Sequence, residues 1–262
     1  MKRLVKTLVL VSIILGFSLI LAVASEYFIP GEAVRPLAVF YLSTTFNPWI
    51  PHLTVNSPEA VTAIVWDYRG LDTLFETAVF YLALIAGIAL ARGVSLRADP
   101  NSEGGLSVIV KTVTRITGPM IVAVGASIGL HGHLTPGGGF QGGATIAVIP
   151  LVIIIAFSVF FVIGKGVTKE KMLVLRSIGL VGIGLTALAA LIIGLAVGKT
   201  AYVIQNMAKP TSEVSFPAYF NGSLVSGTLW FFNLFEMIAV AAGFTIAFLL
   251  LTYPEKKEGE NA

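Results

Sequence analysis

Two glutamates stand inside strongly apolar stretches of the sequence, where a charged side chain is least expected. Glu76 ends an acidic run that begins at Asp67 and includes Asp72, and Glu236 lies within another apolar stretch. Asp72 and Glu76 are four residues apart, so they are predicted to share one face of a helix. A carboxylate at membrane depth is costly unless it is paired, hydrated or protonated. These acids are therefore candidates to line a path for a cation or a proton.

Polar neighbours of these acids offer a second, structural interpretation. Asn233 precedes Glu236 by three residues and is predicted to share its helix face, as a further path candidate. A structural hydrogen bond between helices is the alternative for Glu236. Arg69 stands between Asp67 and Asp72, and we interpret Asp67 and Arg69 as an interfacial pair, with Arg69 neutralising Asp67 or Asp72.

A glycine-rich run supplies the third candidate group. Residues 131–143 read HGHLTPGGGFQGG, and three glycines after a proline predict irregular backbone through the run. Irregular backbone at membrane depth is tolerated only when it is buried in protein or lines a wet cavity. We therefore expect a re-entrant or tight loop shaped by Pro136, Gly137, Gly138, Gly139, Gln141, Gly142 and Gly143.

His133 is the candidate proton relay of this loop, because an imidazole ordinarily titrates at about pH 6.5. A role in capping the loop is the alternative. We expect no cofactor: the chain has no cysteine, which excludes thiolate metal sites and iron–sulfur ligation. No stable metal site is predicted, although Na⁺ can bind transiently.

Several function classes are disfavoured by the motifs. The segment Gly198-Lys199-Thr200 ends like a phosphate-binding loop but has Ile193 where the first glycine is required, so nucleotide binding is not expected. No nucleophile–base pattern emerges, and the chain is not expected to be an enzyme by itself. The pI of about 9.1 does not indicate nucleic acid, because the basic residues mark loops between apolar stretches.

Composition places these groups in a membrane protein. The 262 residues are 56% hydrophobic and 12% charged, with a mean hydropathy of +0.89, whereas soluble domains carry about a quarter charged residues. Hydropathy and helix breakers predict an all-α, polytopic integral membrane protein of about six transmembrane helices. The predicted spans are 4–24, 71–91, 108–130, 142–164, 173–198 and 227–252.

The basic residues predict the orientation of these spans. With a cytoplasmic N-terminus, only Arg35, Arg69, Lys199 and Lys209 of the 17 basic residues fall on the opposite face. We therefore expect a multi-pass protein of the plasma membrane with both termini in the cytoplasm. The alternative for the first span is a signal peptide cleaved after residues 22–24, but its apolar run is longer than usual.

Two of these motifs carry a family resemblance. The run HLTPGGGFQGG, residues 133–143, resembles the signature of the B-type subunit of the multi-subunit Na⁺/H⁺ antiporters of the Mrp type. The run from Asp67 to Glu76 resembles the C-terminal end of the large A-type subunit of the same antiporters. The resemblance implies that residues 1–100 form a module like the end of the A-type subunit, with two transmembrane helices and a proline-rich extracytoplasmic cap. Residues 101–262 would form a B-type module with four transmembrane helices.

The chain departs from the family pattern in two places. Residues 61–63 read Val-Thr-Ala where the family tends to have Val-Asn-Val, so one asparagine is lost. In the last span the family commonly has an aspartate after phenylalanine, and here Asn233 follows Phe232. We interpret Glu236, one helical turn later, as the replacement for that carboxylate.

The resemblance implies an accessory subunit of a cation/proton antiporter, or of an antiporter-containing respiratory complex such as an archaeal membrane-bound hydrogenase or sulfur reductase. Its partners would be other membrane subunits, the lipid bilayer, and Na⁺ or H⁺, with no nucleic acid or nucleotide. The alternative function is a structural scaffold that docks neighbouring subunits without conducting ions. Glu76 and Glu236 in a wet cavity would favour conduction, whereas dry, paired acids would favour the scaffold.

Overall fold

The computed structural model describes residues 2–28, 34–90 and 105–252, which belong to two compact units, residues 1–42 and 43–262. The first unit contains α1 (Lys2–Phe28) and the start of α2 (Pro36–Thr45). A 27-residue helix is about 40 Å long, enough to cross a bilayer. The side chains of residues 5–23 are exposed around the whole helix, which suits lipid on all sides.

The second unit is a group of packed helices. In chain order its elements are α3 (Ala60–Ala63), a π-helical turn (Ile64–Tyr68), α4 (Gly70–Leu90), α5 (Val108–Leu130), α6 (Gly139–Ala156), α7 (Val159–Gly164), α8 (Lys169–Val197), β1 (Tyr219–Phe220), β2 (Ser223–Leu224) and α9 (Thr228–Leu251). The two strands form a small antiparallel hairpin in which Tyr219 faces Leu224. Helix α9 lies at the centre of this unit, and half of the residues in its most apolar part are buried.

Six of the described helices are long and apolar enough to cross a membrane: α1, α4, α5, α6, α8 and α9. The prediction of an all-α, polytopic membrane protein is confirmed. The fourth span is shorter than predicted, since α6 ends at Ala156 instead of residue 164. The side chain of Ser158 accepts a hydrogen bond from the Phe161 amide and starts the separate short helix α7.

The glycine-rich run is less irregular than predicted. The non-helical turn covers only residues 131–138, and α6 begins at Gly139, so the prediction of irregular backbone over residues 139–143 is wrong. Gly142 and Gly143 serve helix packing instead. A Cβ on Gly142 would lie 2.7 Å from the Gly129 nitrogen of α5, and one on Gly143 would lie 2.6 Å from the Met237 oxygen of α9. Small residues of this kind let membrane helices approach closely.

The loops at the end where α5 stops and α6 and α9 start form a structure that we call the cap, comprising residues 43–69, 131–138 and 198–227. Asn206 joins two of its parts, because its Nδ2 donates to the Val55 oxygen at 3.0 Å and its Oδ1 accepts from the Thr228 amide at 2.8 Å. The second of these bonds caps the first turn of α9. Trp66 of the π-helical turn stacks on Phe232 of α9, with ring centroids 4.4 Å apart.

The tight turn after α5 is also fixed by the cap. The Thr62 hydroxyl donates to the Gly132 oxygen at 2.6 Å, and the Ser57 hydroxyl donates to the His133 oxygen at 2.8 Å. His133 Nε2 lies 3.0 Å from the Leu224 oxygen, so the proton of the neutral ring belongs on Nε2. Its Nδ1 is buried and has no partner in the part of the chain that the structure describes. A second proton would therefore be placed in a site without an acceptor.

Replacing Gly142 with alanine should destabilise the α5–α6 contact. The added methyl group would meet backbone atoms of Gly125 and Gly129 at 2.7 Å, and overpacking of this kind costs about 1–3 kcal/mol. We expect a lower thermal unfolding midpoint for Gly142→Ala in detergent, measured by circular dichroism. Gly184→Ala in α8 is the matched control, because a Cβ there meets no atom within 4 Å. Equal thermal unfolding midpoints for Gly142→Ala and Gly184→Ala would contradict the close contact between α5 and α6 at Gly142.

His133 should make stability depend on pH. Burial is the main cause that lowers the pKa of His133 from its ordinary value of 6.5, while the bond to Leu224 opposes the shift. As the pH falls below about 6.5, the unfolded chain takes up this proton before the folded chain does, so folding stability decreases. The thermal midpoint of the wild type should thus fall between pH 7 and pH 5.

The His133→Gln variant should lose most of this decline, since glutamine has an amide N–H for Leu224 but does not titrate. His131→Gln is the control, because His131 is exposed in the same turn. Should His133→Gln show the same pH dependence as the wild type, another group would be responsible for it.

Candidate functional site

Three distant segments of the sequence enclose one cavity beside the cap. Its volume is about 220 Å³. The first segment runs from α3 through the π-helical turn into α4, the second is the turn before α6 with the start of α6, and the third belongs to α9. A water molecule needs roughly 10–15 Å³ of such volume, so several can fit. The polar residues of the lining are Thr62, Trp66, Thr73, Glu76, Gln141, Asn233 and Glu236.

Glu76 and Glu236 occupy different environments in this cavity. Glu76 is exposed in the isolated chain, whereas Glu236 is only 6% exposed. Neither forms a salt bridge in the part of the chain that the structure describes. The cavity therefore runs from an accessible carboxylate on α4 to a buried carboxylate on α9.

The Glu236 carboxylate lies against the start of α6. A Cβ on Gly139 would be 2.7 Å from Glu236 Oε2, so only glycine allows this approach. Beside it, Asn233 Oδ1 accepts a hydrogen bond from the Gly139 amide at 3.3 Å. The N-terminus of a helix carries unpaired N–H groups and a partial positive charge. The Glu236 carboxylate therefore lies beside hydrogen-bond donors of the backbone.

Two buried hydrogen-bond donors in the lining have no partner among the described residues. They are Nε1 of Trp66 and Nδ2 of Asn233, and both residues are 1% exposed. The Trp66 N–H approaches the Glu236 carboxylate without completing a hydrogen bond of normal geometry. Unpaired buried donors are costly, and an oxygen atom placed in the cavity would satisfy them. The lining therefore suits water.

The acidic residues near the start of α4 do not all lie in the cavity. Asp72 and Arg69 form an exposed ion pair, with Arg69 Nη2 2.5 Å from Asp72 Oδ2, and neither residue lines the cavity. Asp67 does not pair with Arg69. Its carboxylate is buried and lies 3.5 Å from Lys209 Nζ. Burial raises the pKa of Asp67, and Lys209 acts in the opposite direction.

Only some of the candidate residues in the glycine-rich run line the cavity. Gly137, Gly138 and Gln141 line the cavity, while His133 is held in the cap and does not. Pro136 lies in the exposed part of the turn. The structure thus brings together Glu76, Glu236, Asn233 and part of the glycine-rich run, and leaves out Asp72 and His133.

Sequence reasoning missed Arg176, which is 1% exposed and lies within α8. Its Nη1 donates to the Ala239 oxygen of α9 at 2.7 Å, and its Nη2 to the Thr77 oxygen of α4 at 3.4 Å. The guanidinium also lies 4.4 Å from the ring centroid of Phe80. The signal in the sequence was an arginine several residues inside an apolar stretch. Arg176 ties α4 to α9 just beyond the two glutamates, on the side away from the cap.

Comparison with known proteins adds relatives of known architecture. A chain in the structure of the membrane-bound sulfane sulfur reductase (MBS), an archaeal respiratory membrane complex, superimposes with a TM-score of 0.59 at 28% identity. The match covers 97% of this chain and 99% of that chain. A chain in the structure of the Mrp complex from Dietzia sp. gives a TM-score of 0.62 at 18% identity, over 97% of this chain and 26% of that one. The second likeness shows the fold alone.

Comparison of the amino-acid sequence identifies the family of the chain. An uncharacterized protein of Methanocaldococcus jannaschii is 30% identical over 253 residues, which is 88% of this chain and 91% of that protein. The family described as a domain related to the MnhB subunit of Na⁺/H⁺ antiporters matches residues 109–246, more than half of the chain. This multi-pass membrane protein therefore belongs to the MnhB-related family of antiporter domains.

Proposed function

We propose that this chain is an accessory membrane subunit that contributes to a cation path, with Na⁺ as the favoured ion and H⁺ as the other candidate. The observation that carries the proposal is the cavity shared by Glu76 and Glu236. Hard cations prefer oxygen ligands, and the lining offers carboxylate, amide and hydroxyl oxygens. Glu76 would receive the ion at the accessible end, and Glu236 would hold it at the buried end.

The parent assembly is proposed from the relatives. Relatedness to a chain of a respiratory membrane complex supports an antiporter-like membrane part with several subunits as partners. The chain would be a fusion of two modules: an A-type end in residues 1–100 and a B-type module in residues 101–262. Both modules contribute residues to the cavity. The basic residues support cytoplasmic termini at the plasma membrane, which puts the cap on the opposite face.

The scaffold alternative predicts that both acids are dry and paired. Glu76 and Glu236 instead share a cavity with two unpaired donors and have no basic partner among the described residues. Costly carboxylates without a basic partner are more readily explained by an ion that visits them. The geometry therefore favours conduction over a purely structural role.

Glu76→Gln should abolish sodium-dependent transport while the complex still assembles. The amide keeps the shape of the side chain but removes the charge that attracts the cation at the accessible end. Transport is measured as ²²Na⁺ uptake into vesicles that contain the assembled complex, and we expect a loss of at least about tenfold, the factor that corresponds to roughly 1.4 kcal/mol.

Asp72→Asn is the matched control for Glu76→Gln, because Asp72 lies one turn earlier on α4, outside the cavity, and is paired with Arg69. We expect this variant to transport like the wild type. Wild-type uptake by an assembled Glu76→Gln complex would remove Glu76 from the path.

Glu236→Gln should weaken the binding of the ion at the buried end. We expect the Na⁺ concentration for half-maximal uptake to rise by about tenfold or more, since a buried carboxylate interacts strongly with a bound cation. Glu213→Gln provides the same chemical change in the exposed ion pair with Lys199 and should have no effect. If Glu236→Gln lost proton movement but kept its Na⁺ dependence, the path would carry protons instead.

A further inference from the structure

A second cavity lies at the end of the helix group away from the cap. Its volume is about 260 Å³, and α6, α7, α8 and α9 form its walls. Its lining is almost wholly apolar and includes Ile149, Ile153, Val162, Leu175 and Ala242, with Lys165 as its charged member. An apolar space beside one cation fits a ligand with a hydrocarbon part and an anionic part.

Two further cations lie close to this cavity and share an aromatic pair with Lys165. Phe157 and Phe161 are stacked, with ring centroids 4.6 Å apart. Lys165 Nζ lies 5.6 Å from the Phe161 centroid. On Phe157, the Lys111 Nζ lies at 5.8 Å and the Arg115 guanidinium at 5.3 Å. The aromatic faces hold three positive charges at one place.

No described carboxylate neutralises these three cations. The salt bridges within residues 2–28, 34–90 and 105–252 involve Arg69, Lys169, Lys199 and Lys209, and none involves Lys111, Arg115 or Lys165. Like charges gathered this closely repel each other unless an anion lies between them. The cluster therefore attracts an anion that comes near it.

The position of the cluster suits a lipid headgroup. Lys111 is in the first turn of α5, and Lys165 directly follows α7. Both therefore lie at the end of membrane-spanning segments, where headgroup phosphates and basic side chains meet. A ligand that enters between these four helices beside Lys165 must be narrow. A hydrocarbon chain is thin enough.

We propose that this end of the chain binds an anionic membrane lipid. Lys111, Arg115 and Lys165 hold its phosphate-bearing headgroup, and the cavity between α6, α7, α8 and α9 takes up part of one of its hydrocarbon chains. The negative charge of the bound lipid offsets part of the positive charge of the three cations, and its hydrocarbon chain fills space between the four helices. This site is separate from the cavity of the two glutamates and does not depend on the function proposed for it.

The test uses a phosphatidylglycerol that carries a photoreactive diazirine in one acyl chain, reconstituted with the whole complex in phosphatidylcholine vesicles. After illumination, we expect label on peptides that contain residues 146–175. Unlabelled phosphatidylglycerol should compete, whereas additional phosphatidylcholine and inorganic phosphate should not. This comparison separates a lipid headgroup from free phosphate.

Substitutions connect the label to the cluster. The triple variant Lys111→Gln, Arg115→Gln, Lys165→Gln should lose at least tenfold of the labelling, and Lys165→Gln alone about fivefold, the effect of one basic residue near a lipid surface. The single variant keeps the test decisive if the triple variant fails to assemble. Ile149→Phe, which narrows the cavity, should also reduce labelling there. Lys199→Gln removes an exposed lysine of the cap and should change nothing.

Equal competition by phosphatidylcholine would overturn the proposal, because the site would then not select an anion. Unchanged labelling in an assembled Lys165→Gln complex would overturn it as well. So would the absence of label from residues 146–175 together with chemical crosslinks from Lys165 to a neighbouring subunit, since a protein would then occupy this surface.

Discussion

The approach of the Glu236 carboxylate to the start of α6 determines how the helices of the second unit can be arranged. A carboxylate this far from bulk water needs donors, and the free N–H groups at the start of α6 are close at hand. The approach requires a residue without a side chain at position 139, where any Cβ would collide with Glu236. The end of α5, the turn and the start of α6 are therefore all fixed relative to α9.

The cap extends this constraint to the first part of the sequence. Trp66 stacks on Phe232, and Thr62 donates to the Gly132 oxygen, so the π-helical turn is attached both to α9 and to the turn before α6. The start of α4 follows directly, which brings Glu76 to the same cavity. A site with residues from both proposed modules results from a few hydrogen bonds and one ring stack.

Much of this arrangement could be predicted from the sequence. Hydropathy located the six membrane-spanning helices, because a bilayer imposes length and apolarity on each helix separately. The rarity of acids in apolar stretches singled out Glu76 and Glu236. The extent of the irregular loop was wrong, since Gly139, Gly142 and Gly143 serve contacts between helices, which glycine content alone does not distinguish from a loop. The Asp67–Lys209 pair joins residues 142 positions apart, and no local pattern indicates such a contact.

Arg176 has an electrostatic consequence for the seam between α4 and α9. A guanidinium stays positive at any physiological pH, and this one lies beside Thr77 and Ala239, directly after the two acids along their helices. Its positive charge therefore lies just beyond the two carboxylates, on the side away from the cap, and opposes the movement of a cation further along the seam. On the path that we propose, an ion would therefore leave the cavity towards the exposed face that carries Glu76.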